Sequence, residues 1–544
     1  MSSVIYRSPY PSAPIFMGSI SDLLNSSPYI TGRENKPVLV DGYSGESLTL
    51  GQHVQLVKKL TALLKTKYRL KPGQVIGLFI PNVITLPATH HAIIAAGGVV
   101  SPISSSYMQD DVKNQIVEAN ARYLIALDGH FTKVGEEAVR GTKCELLAFK
   151  PFITEAIQTE LNVDLGIPVE LSQPADKSLA YLCFSSGTTG KFKGVMTSHS
   201  NLANNILQAI TSDKTIFAPD DVYAGFLPQT HIYALTLHVY LSVYIGATLI
   251  VYPEFNFEKF LQSVIKYKIT FVHAVPPIMI LLAKSPVVDK YKEISISLRT
   301  IYCAAAPLSI SLANAVQDRL GNGIVVSQGY GLTETSPATH LMPKTRPAEK
   351  MGSIGFLLRN IEARLIDEEG KDTPPGRPGE LILKGPNIMM GYLNNPQANA
   401  VTLTDGWLHT GDVASVDEDG YWYIVDRLKE LIKSKGFQVA PAELEAKLLT
   451  HPKVIDAAVI AHWSENEASE QPRAFVVLAS GGDALEIKKW MDKSVSKPKR
   501  LWGGIVVIDQ IPKSPSGKIL RRLLRDRKND VIVGASDIKE AAKL

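Results

Sequence analysis

The run Val75-Ile-Gly-Leu-Phe-Ile80 is apolar throughout and is introduced by the punctuation Pro72-Gly73. In the preceding stretch, residues 51–65, the apolar residues Val54, Val57, Leu60 and Leu64 recur at helical spacing. Helix, turn and buried strand follow from that pattern. It recurs at once: a helix is expected over 86–96, a short strand at Val99-Val100, a helix over 110–120 and a strand over 123–127. Strands alternating with helices need crossover connections, which cover both faces of a parallel sheet. The fold class is therefore α/β. Further strands are expected over 179–184, 270–275 and 324–327, and no internal repeat is present.

After about residue 352 the texture changes to short β-like pieces separated by turns such as Asp367-Glu-Glu-Gly370, Pro374-Pro-Gly376 and Asp417-Glu-Asp-Gly420. These predict a small antiparallel subdomain. Beyond Asp426 the chain turns basic (Arg427, Lys429, Lys433, Lys435) and then reads as a compact unit with strands near 457–460, 474–478 and 505–508. The expected organisation is a large N-terminal body of parallel α/β layers with its β subdomain over 1–425, a hinge over 426–430, and a smaller mobile α+β domain over 431–544.

Composition sets outer limits. The 544 residues carry 57 Lys+Arg and 53 Asp+Glu, a net charge of +4 that is too small to mark nucleic acid or an anionic membrane as the main partner. Cys144, Cys183 and Cys303 permit at most one disulfide and lack metal-site spacing, so a reducing compartment is expected. The first fourteen residues lack the basic and apolar regions of a secretory signal. Residues 222–253 contain no Asp, Glu, Lys or Arg, yet Pro228, Gln229, His231 and His238 interrupt them, so they read as buried core rather than a transmembrane segment.

One motif points to a polyanion. In Ser185-Ser-Gly-Thr-Thr-Gly-Lys-Phe-Lys-Gly194, Gly187 and Gly190 let backbone N–H groups turn inward around an anion. Ser185, Ser186, Thr188 and Thr189 add hydroxyl donors, and Lys191 and Lys193 add charge. It lacks the GxxxxGK[ST] spacing of a Walker loop. It is expected to join the strand over 179–184 to a helix near 200–210; the plain alternative is an ordinary Gly/Ser/Thr connection.

Four more segments follow in order: Gly329-Tyr-Gly-Leu-Thr-Glu-Thr335, Gly406-Trp-Leu-His-Thr-Gly-Asp412, Asp426-Arg-Leu-Lys-Glu-Leu-Ile-Lys-Ser-Lys-Gly436 and Pro512-Lys-Ser-Pro-Ser-Gly-Lys-Ile-Leu-Arg-Arg522. With the phosphate loop they closely resemble the signatures of the acyl-adenylate-forming superfamily of acyl-CoA synthetases, 4-coumarate:CoA ligases, beetle luciferases and peptide-synthetase adenylation domains. Leu227-Pro-Gln-Thr-His-Ile-Tyr-Ala-Leu235 most resembles the 4-coumarate:CoA ligase and luciferase branch.

The resemblance implies a two-step reaction with ATP, Mg²⁺ and coenzyme A. A carboxylate attacks the α-phosphate to give an acyl-adenylate and pyrophosphate, and a thiolate then displaces AMP. Anions crowd at this site, so positioning and charge neutralisation are expected to dominate catalysis. By the same resemblance Lys518 contacts carboxylate and α-phosphate, Thr333 donates to the α-phosphate and Glu334 holds Mg²⁺. Read alone, Thr333 and Glu334 could equally cap a helix. Asp412 and Arg427 are implied to hold the ribose, Tyr330 to lie against the adenine, and Gln328, Gly329 and Gly331 to line the nucleotide site. His231 matches the gate beside the carboxylate. The acid pocket is implied to comprise His231, Tyr233, Leu237, Ala304, Ala305, Gly329, Gly331, Pro337 and Ala338. Lys433, Gln438 and Gly436 match the second-step site, and Lys429 falls at the family hinge.

Three departures bear on the substrate. Leu237 stands where a smaller polar residue is expected, Thr230 replaces an aromatic, and Lys191-Phe192 replaces the usual Leu-Pro. They put a hydroxycinnamate in doubt and leave aryl and medium-chain acids open. An ATP-dependent carboxylate:CoA ligase is the main expectation; a luciferase-like monooxygenase, an enzyme that loads a carrier protein and a nucleotide-binding pseudoenzyme are the alternatives. Ala542-Lys543-Leu544 resembles the peroxisomal S-K-L address and implies an import receptor as partner, with the cytoplasm as the alternative location. If the C-terminal domain turns about Lys429 between the two steps, Lys429→Pro should spare adenylate formation and slow thioester formation, measured as separate half-reactions; equal losses would count against a hinge there.

Overall fold

The alternation around Val75–Phe79 builds one of two sheets with parallel cores. The computed structural model describes residues 4–535 except 161, 187–191, 322, 436, 466, 468, 515–516 and 529. The centre of the phosphate loop, residues 187–191, and the Ala542-Lys543-Leu544 tag lie outside the described residues.

In the first sheet the strands Leu179–Ser186, Val99–Pro102, Val75–Phe79 and Ala121–Ala126, each close to its sequence expectation, run parallel with Glu145–Ala148, a strand the sequence reading did not include. The second sheet runs parallel through Val325–Gly331, Thr300–Cys303, Phe271–Ala274, Val222–Gly225, Thr248–Val251 and Pro37–Asp41, with antiparallel strands at both edges. Crossover helices cover these strands on both faces: Val75–Phe79 and Phe271–Ala274 are buried at every position.

The phosphate loop differs from its expected setting. A strand, Phe192–Ser198, pairs antiparallel with Leu179–Ser186, so the motif lies between two neighbouring strands and not between a strand and a helix. On its other side Gly391–Tyr392 completes the edge from nearly two hundred residues away, a pairing that no local window of sequence shows. The helix follows only at His199–Ser212.

The uncharged segment 222–253 is core, as expected. It forms a strand, a short helix Ile232–Ala234, a π-helical stretch Leu235–Leu241 and a helix Ser242–Ile245, which ends on Gly246 at φ 66° before the strand Thr248–Val251. Among the described residues no helix is long and apolar enough to cross a membrane.

An antiparallel sheet joins Tyr6–Arg7, Glu362–Ile366, Gly379–Lys384, Trp407–Val416 and Leu403–Thr404, with Trp422–Arg427 on its far side. The body's last strand thus ends at Arg427, and the next, Ile432–Ser434, belongs to the C-terminal unit. That unit packs helices Pro441–Leu449 and Ala484–Ser494 on a sheet of Val454–Ser464, Ser469–Leu478, Ile505–Val507 and Ile532–Val533.

Helix His199–Ser212 ties these layers together. All its residues but Leu207 and Thr211 are buried, and its polar side chains reach backbone groups of distant segments. Asn201 Nδ2 donates to the carbonyls of Pro386 and Ile388, each at 2.8 Å, and Asn204 Nδ2 to that of Phe16 at 3.0 Å. Gln208 Nε2 donates to the Arg359 carbonyl at 2.7 Å. Asn205 makes a two-way pair with Ala338, donating to its carbonyl at 2.6 Å and accepting from its N–H at 3.1 Å. Buried carbonyls left without donors are costly, which explains amides on a helix with almost no exposed face. Asn201→Leu, which strands two carbonyls, should lower stability by about 2–4 kcal/mol, read as a lower urea midpoint for the body at unchanged slope.

Candidate active site

Where the parallel strand Val325–Gly331 turns back through residues 333–335 into Ala338–Leu341, the backbones approach closely. A Cβ on Gly331 would lie 2.0 Å from the Pro337 carbonyl oxygen, so only glycine fits. Thr335 Oγ1 accepts from the Leu332 N–H at 2.8 Å, and Asn387 Nδ2 donates to the Thr335 carbonyl at 2.7 Å. This rigid turn presents Thr333 and Glu334 to a cavity of about 1120 Å³.

The cavity gathers most of the expected residues. From the body come Lys193, His231, Tyr233, Leu237, Ala304, Ala305, Gly329, Tyr330, Gly331, Thr333, Glu334, Pro337, Ala338 and Arg427; from the C-terminal unit comes Lys518. Asp412 lies against that wall, 3% exposed. Strand register sets it opposite Arg427, whose Nε stands 3.0 Å from Asp412 Oδ1, and the Tyr330 hydroxyl donates to Oδ2 at 2.6 Å. Burial raises the Asp412 pKa, opposed first by Arg427 and then by Tyr330. Tyr330, offered by the sequence as an adenine neighbour, therefore also anchors this carboxylate.

Lys518 projects into the cavity from a turn in which the Ser514 N–H donates to the Lys518 carbonyl at 2.8 Å. It forms no ion pair among the described residues. Burial, and next Arg427, lower its pKa to about 8. His231 opens the helix Ile232–Ala234, its Nδ1 accepting from the Tyr233 N–H at 3.3 Å. Burial, and next Lys518, bring its pKa down to about 4, so it is neutral near pH 7.

Glu334 is steadied by a residue that the sequence did not signal. The Tyr392 hydroxyl donates to Glu334 Oε1 at 2.8 Å, and Lys193 Nζ sits 4.7 Å from the centre of the Tyr392 ring. Tyr392 reaches the site because Gly391–Tyr392 pairs with Phe192–Ser198, a tertiary contact with no local signature. His273 was also missed. It lines the cavity, shares a hydrogen bond of 3.1 Å with His238 on the π-helical stretch, and leaves Nε2 without a partner among the described residues. Its signal was a histidine inside an apolar strand.

Other expected residues are not brought together. Gln328 is buried behind the wall and accepts from the Leu308 N–H at 3.2 Å. Lys433 and Gln438 face each other across the hairpin of Ile432–Ser434 and Phe437–Val439, outside the cavity lining; Gln438 donates to Glu368 at 3.1 Å. Ser185 and Ser186 end the strand before the loop. Gly187, Thr188, Thr189, Gly190, Lys191 and Gly436 lie outside the described residues.

Residues 29–393 match the family model described as AMP-binding enzyme, and residues 443–518 that of the AMP-binding enzyme C-terminal domain. The chain belongs to the AMP-binding enzyme family. This AMP-binding enzyme is 38% identical over 521 residues to a probable 4-coumarate–CoA ligase 1 of Dictyostelium discoideum, covering 92% of this chain and 93% of that one. It is 36% identical over 542 residues to a 4-coumarate–CoA ligase of Pinus taeda, covering 96% and 97%. Among solved structures, ATP-bound MatB from Rhodopseudomonas palustris superposes with a TM-score of 0.83 at 25% identity, over 94% of this chain and 99% of that one. A benzoate CoA ligase from Burkholderia xenovorans shares the fold with a TM-score of 0.80 at 22% identity, over 94% and 100%.

The position of Lys518 sets a pH dependence for the AMP-binding enzyme. A lowered amine pKa means that the charged form prevails below about pH 8 and is lost above it. The first-step kcat/KM for ATP, which reports the free enzyme, should therefore fall as pH rises through about 8. Lys518→Arg, which stays charged, should lower the rate but flatten that alkaline limb.

Proposed function

We propose that this AMP-forming carboxylate:CoA ligase acts on an aryl or medium-chain acid, and that Lys518 is the mobile cation of its first half-reaction. The observation that carries this reading is the convergence of Lys518, Arg427, Asp412, Glu334 and His231 on one cavity lined by both parts of the chain. A carboxylate oxygen attacks the α-phosphorus of ATP, the bond to the bridging oxygen of pyrophosphate breaks, and two anions must be held together meanwhile. Lys518, Arg427 and Lys193 supply positive charge around that space, while neutral His231 adds none. In the second step the thiolate of CoA attacks the acyl carbon and AMP leaves with the electron pair of the broken C–O bond.

Glu334 suits magnesium: it is a hard oxygen donor, steadied by Tyr392, and in no ion pair among the described residues. A magnesium ion bound there would neutralise phosphate charge as a Lewis acid.

The acid pocket has an apolar wall of Leu237, Ala304, Pro337, Ala338 and Leu341, and the Tyr233 hydroxyl is turned onto the Tyr302 carbonyl at 3.0 Å. Leu237 narrows the wall where the branch expects a small polar group.

A panel of aryl and alkyl acids tests the reading by pyrophosphate release with and without CoA. Release with at least one acid, and a thioester product when CoA is added, is expected; release with no thioester would refute the ligase reading. Lys518→Ala should slow pyrophosphate release by about a hundredfold or more yet largely preserve thioester formation from supplied acyl-adenylate. Full-rate adenylation in that variant would overturn its assignment.

A further inference from the structure

One short helix of the C-terminal unit, Pro441–Leu449, is held at both ends by side chains of the body. At its start the N–H of Ala442 donates to Asp426 Oδ2 at 2.9 Å, and Asp426 belongs to the body's last strand, Trp422–Arg427. At its end Lys284 Nζ donates to the Leu449 carbonyl at 3.2 Å and to the Val454 carbonyl, just beyond, at 2.7 Å. A carboxylate at the N-terminus and an ammonium at the C-terminus are the charges that a helix dipole favours. Both contacts cross from one unit to the other.

Lys284 is also linked to the catalytic lysine through its own helix, Pro276–Lys284. The first turn of that helix backs the Lys518 loop: Gly517 has φ 84°, and a Cβ on it would come within 3.0 Å of Pro277 Cδ and 3.2 Å of Val275 Cβ. One rigid body helix therefore supports the residue beside Lys518 at one end and grips the C-terminal unit with Lys284 at the other. Neither Lys284 nor Asp426 lines the cavity.

We propose that Lys284 and Asp426 are positioning residues for adenylate formation. They clamp helix Pro441–Leu449 by its two ends so that Lys518 stands in the cavity, and both contacts must open when the C-terminal unit turns about residues 428–431 to present its other face to the thiol. The proposal rests on the AMP-forming ligase reading for its kinetic consequence and on geometry alone for the clamp.

The test uses the full chain with Lys284→Met, which keeps the apolar stem, Lys284→Arg, which keeps the charge, and Asp426→Asn. With an acid that supports pyrophosphate release, Lys284→Met should slow single-turnover adenylation roughly tenfold at saturating ATP, from loss of a charge-assisted pair. Thioester formation from supplied acyl-adenylate and CoA should stay at or above the wild-type rate. Lys284→Arg should recover most of the loss, and Asp426→Asn should act in the same direction as Lys284→Met. Equal slowing of both half-reactions would overturn the proposal. Hydrogen exchange supplies a readout independent of the reaction: amides 441–449 should exchange faster in Lys284→Met than in the wild type, and unchanged exchange there would also overturn it. If the wild type released pyrophosphate with no acid, the ligase reading would fail while the exchange comparison would still decide the clamp.

Discussion

A carboxylate buried against the cavity wall organises this enzyme. Asp412 is almost wholly removed from water, a state that is stable only if its charge is matched and its oxygens are bonded. Strand register supplies the match, since Trp407–Val416 and Trp422–Arg427 pair with Asp412 opposite Arg427, and the Tyr330 hydroxyl takes the second oxygen. Three parts of the chain are thereby locked: the glycine-flanked turn after Val325–Gly331, the antiparallel subdomain, and the strand leading out of the body. Removing one partner of such a pair typically costs about 3–5 kcal/mol, so the cavity wall and the strand leading out of the body hold their geometry together.

Around that fixed pair the enzyme distributes charge of two kinds. Arg427 and Lys193 are anchored in the body, whereas Lys518 arrives on a separate unit and pays part of its hydration to enter, which is why its pKa falls. The buried amides of helix His199–Ser212 are the counterpart in the scaffold. They satisfy carbonyls from segments far apart in the chain, among them Ala338 of the cavity wall, so that wall inherits the rigidity of the core.

Much of this was legible from residues alone, because helices and buried strands carry their own periodicity. The helix Leu50–Thr66 and the strands Val75–Phe79 and Ala121–Ala126 follow the spacing of their apolar residues. Lys518, Asp412, Arg427, Thr333 and Glu334 sit in segments whose Gly, Ser and charged residues are unusual enough to be recognised one by one. Tyr392 was not legible, since it owes its place to pairing with Phe192–Ser198 across nearly two hundred residues. Gln328 lies outside the cavity lining with its side chain accepting from the Leu308 N–H, since adjacency to a motif glycine does not say on which side of the strand a side chain lies.

The amino-acid sequence by itself determined the α/β class and the family, because these depend on local periodicity and on residue chemistry. Tertiary structure decided which groups meet in one arrangement. It brings Lys518 to Arg427 and Glu334 while Lys433 and Gln438 stay on an outer hairpin, and it backs Glu334 with Tyr392. That selection rests on strand register and on how the C-terminal unit docks against Lys284 and Asp426, long-range interactions that no window of sequence contains.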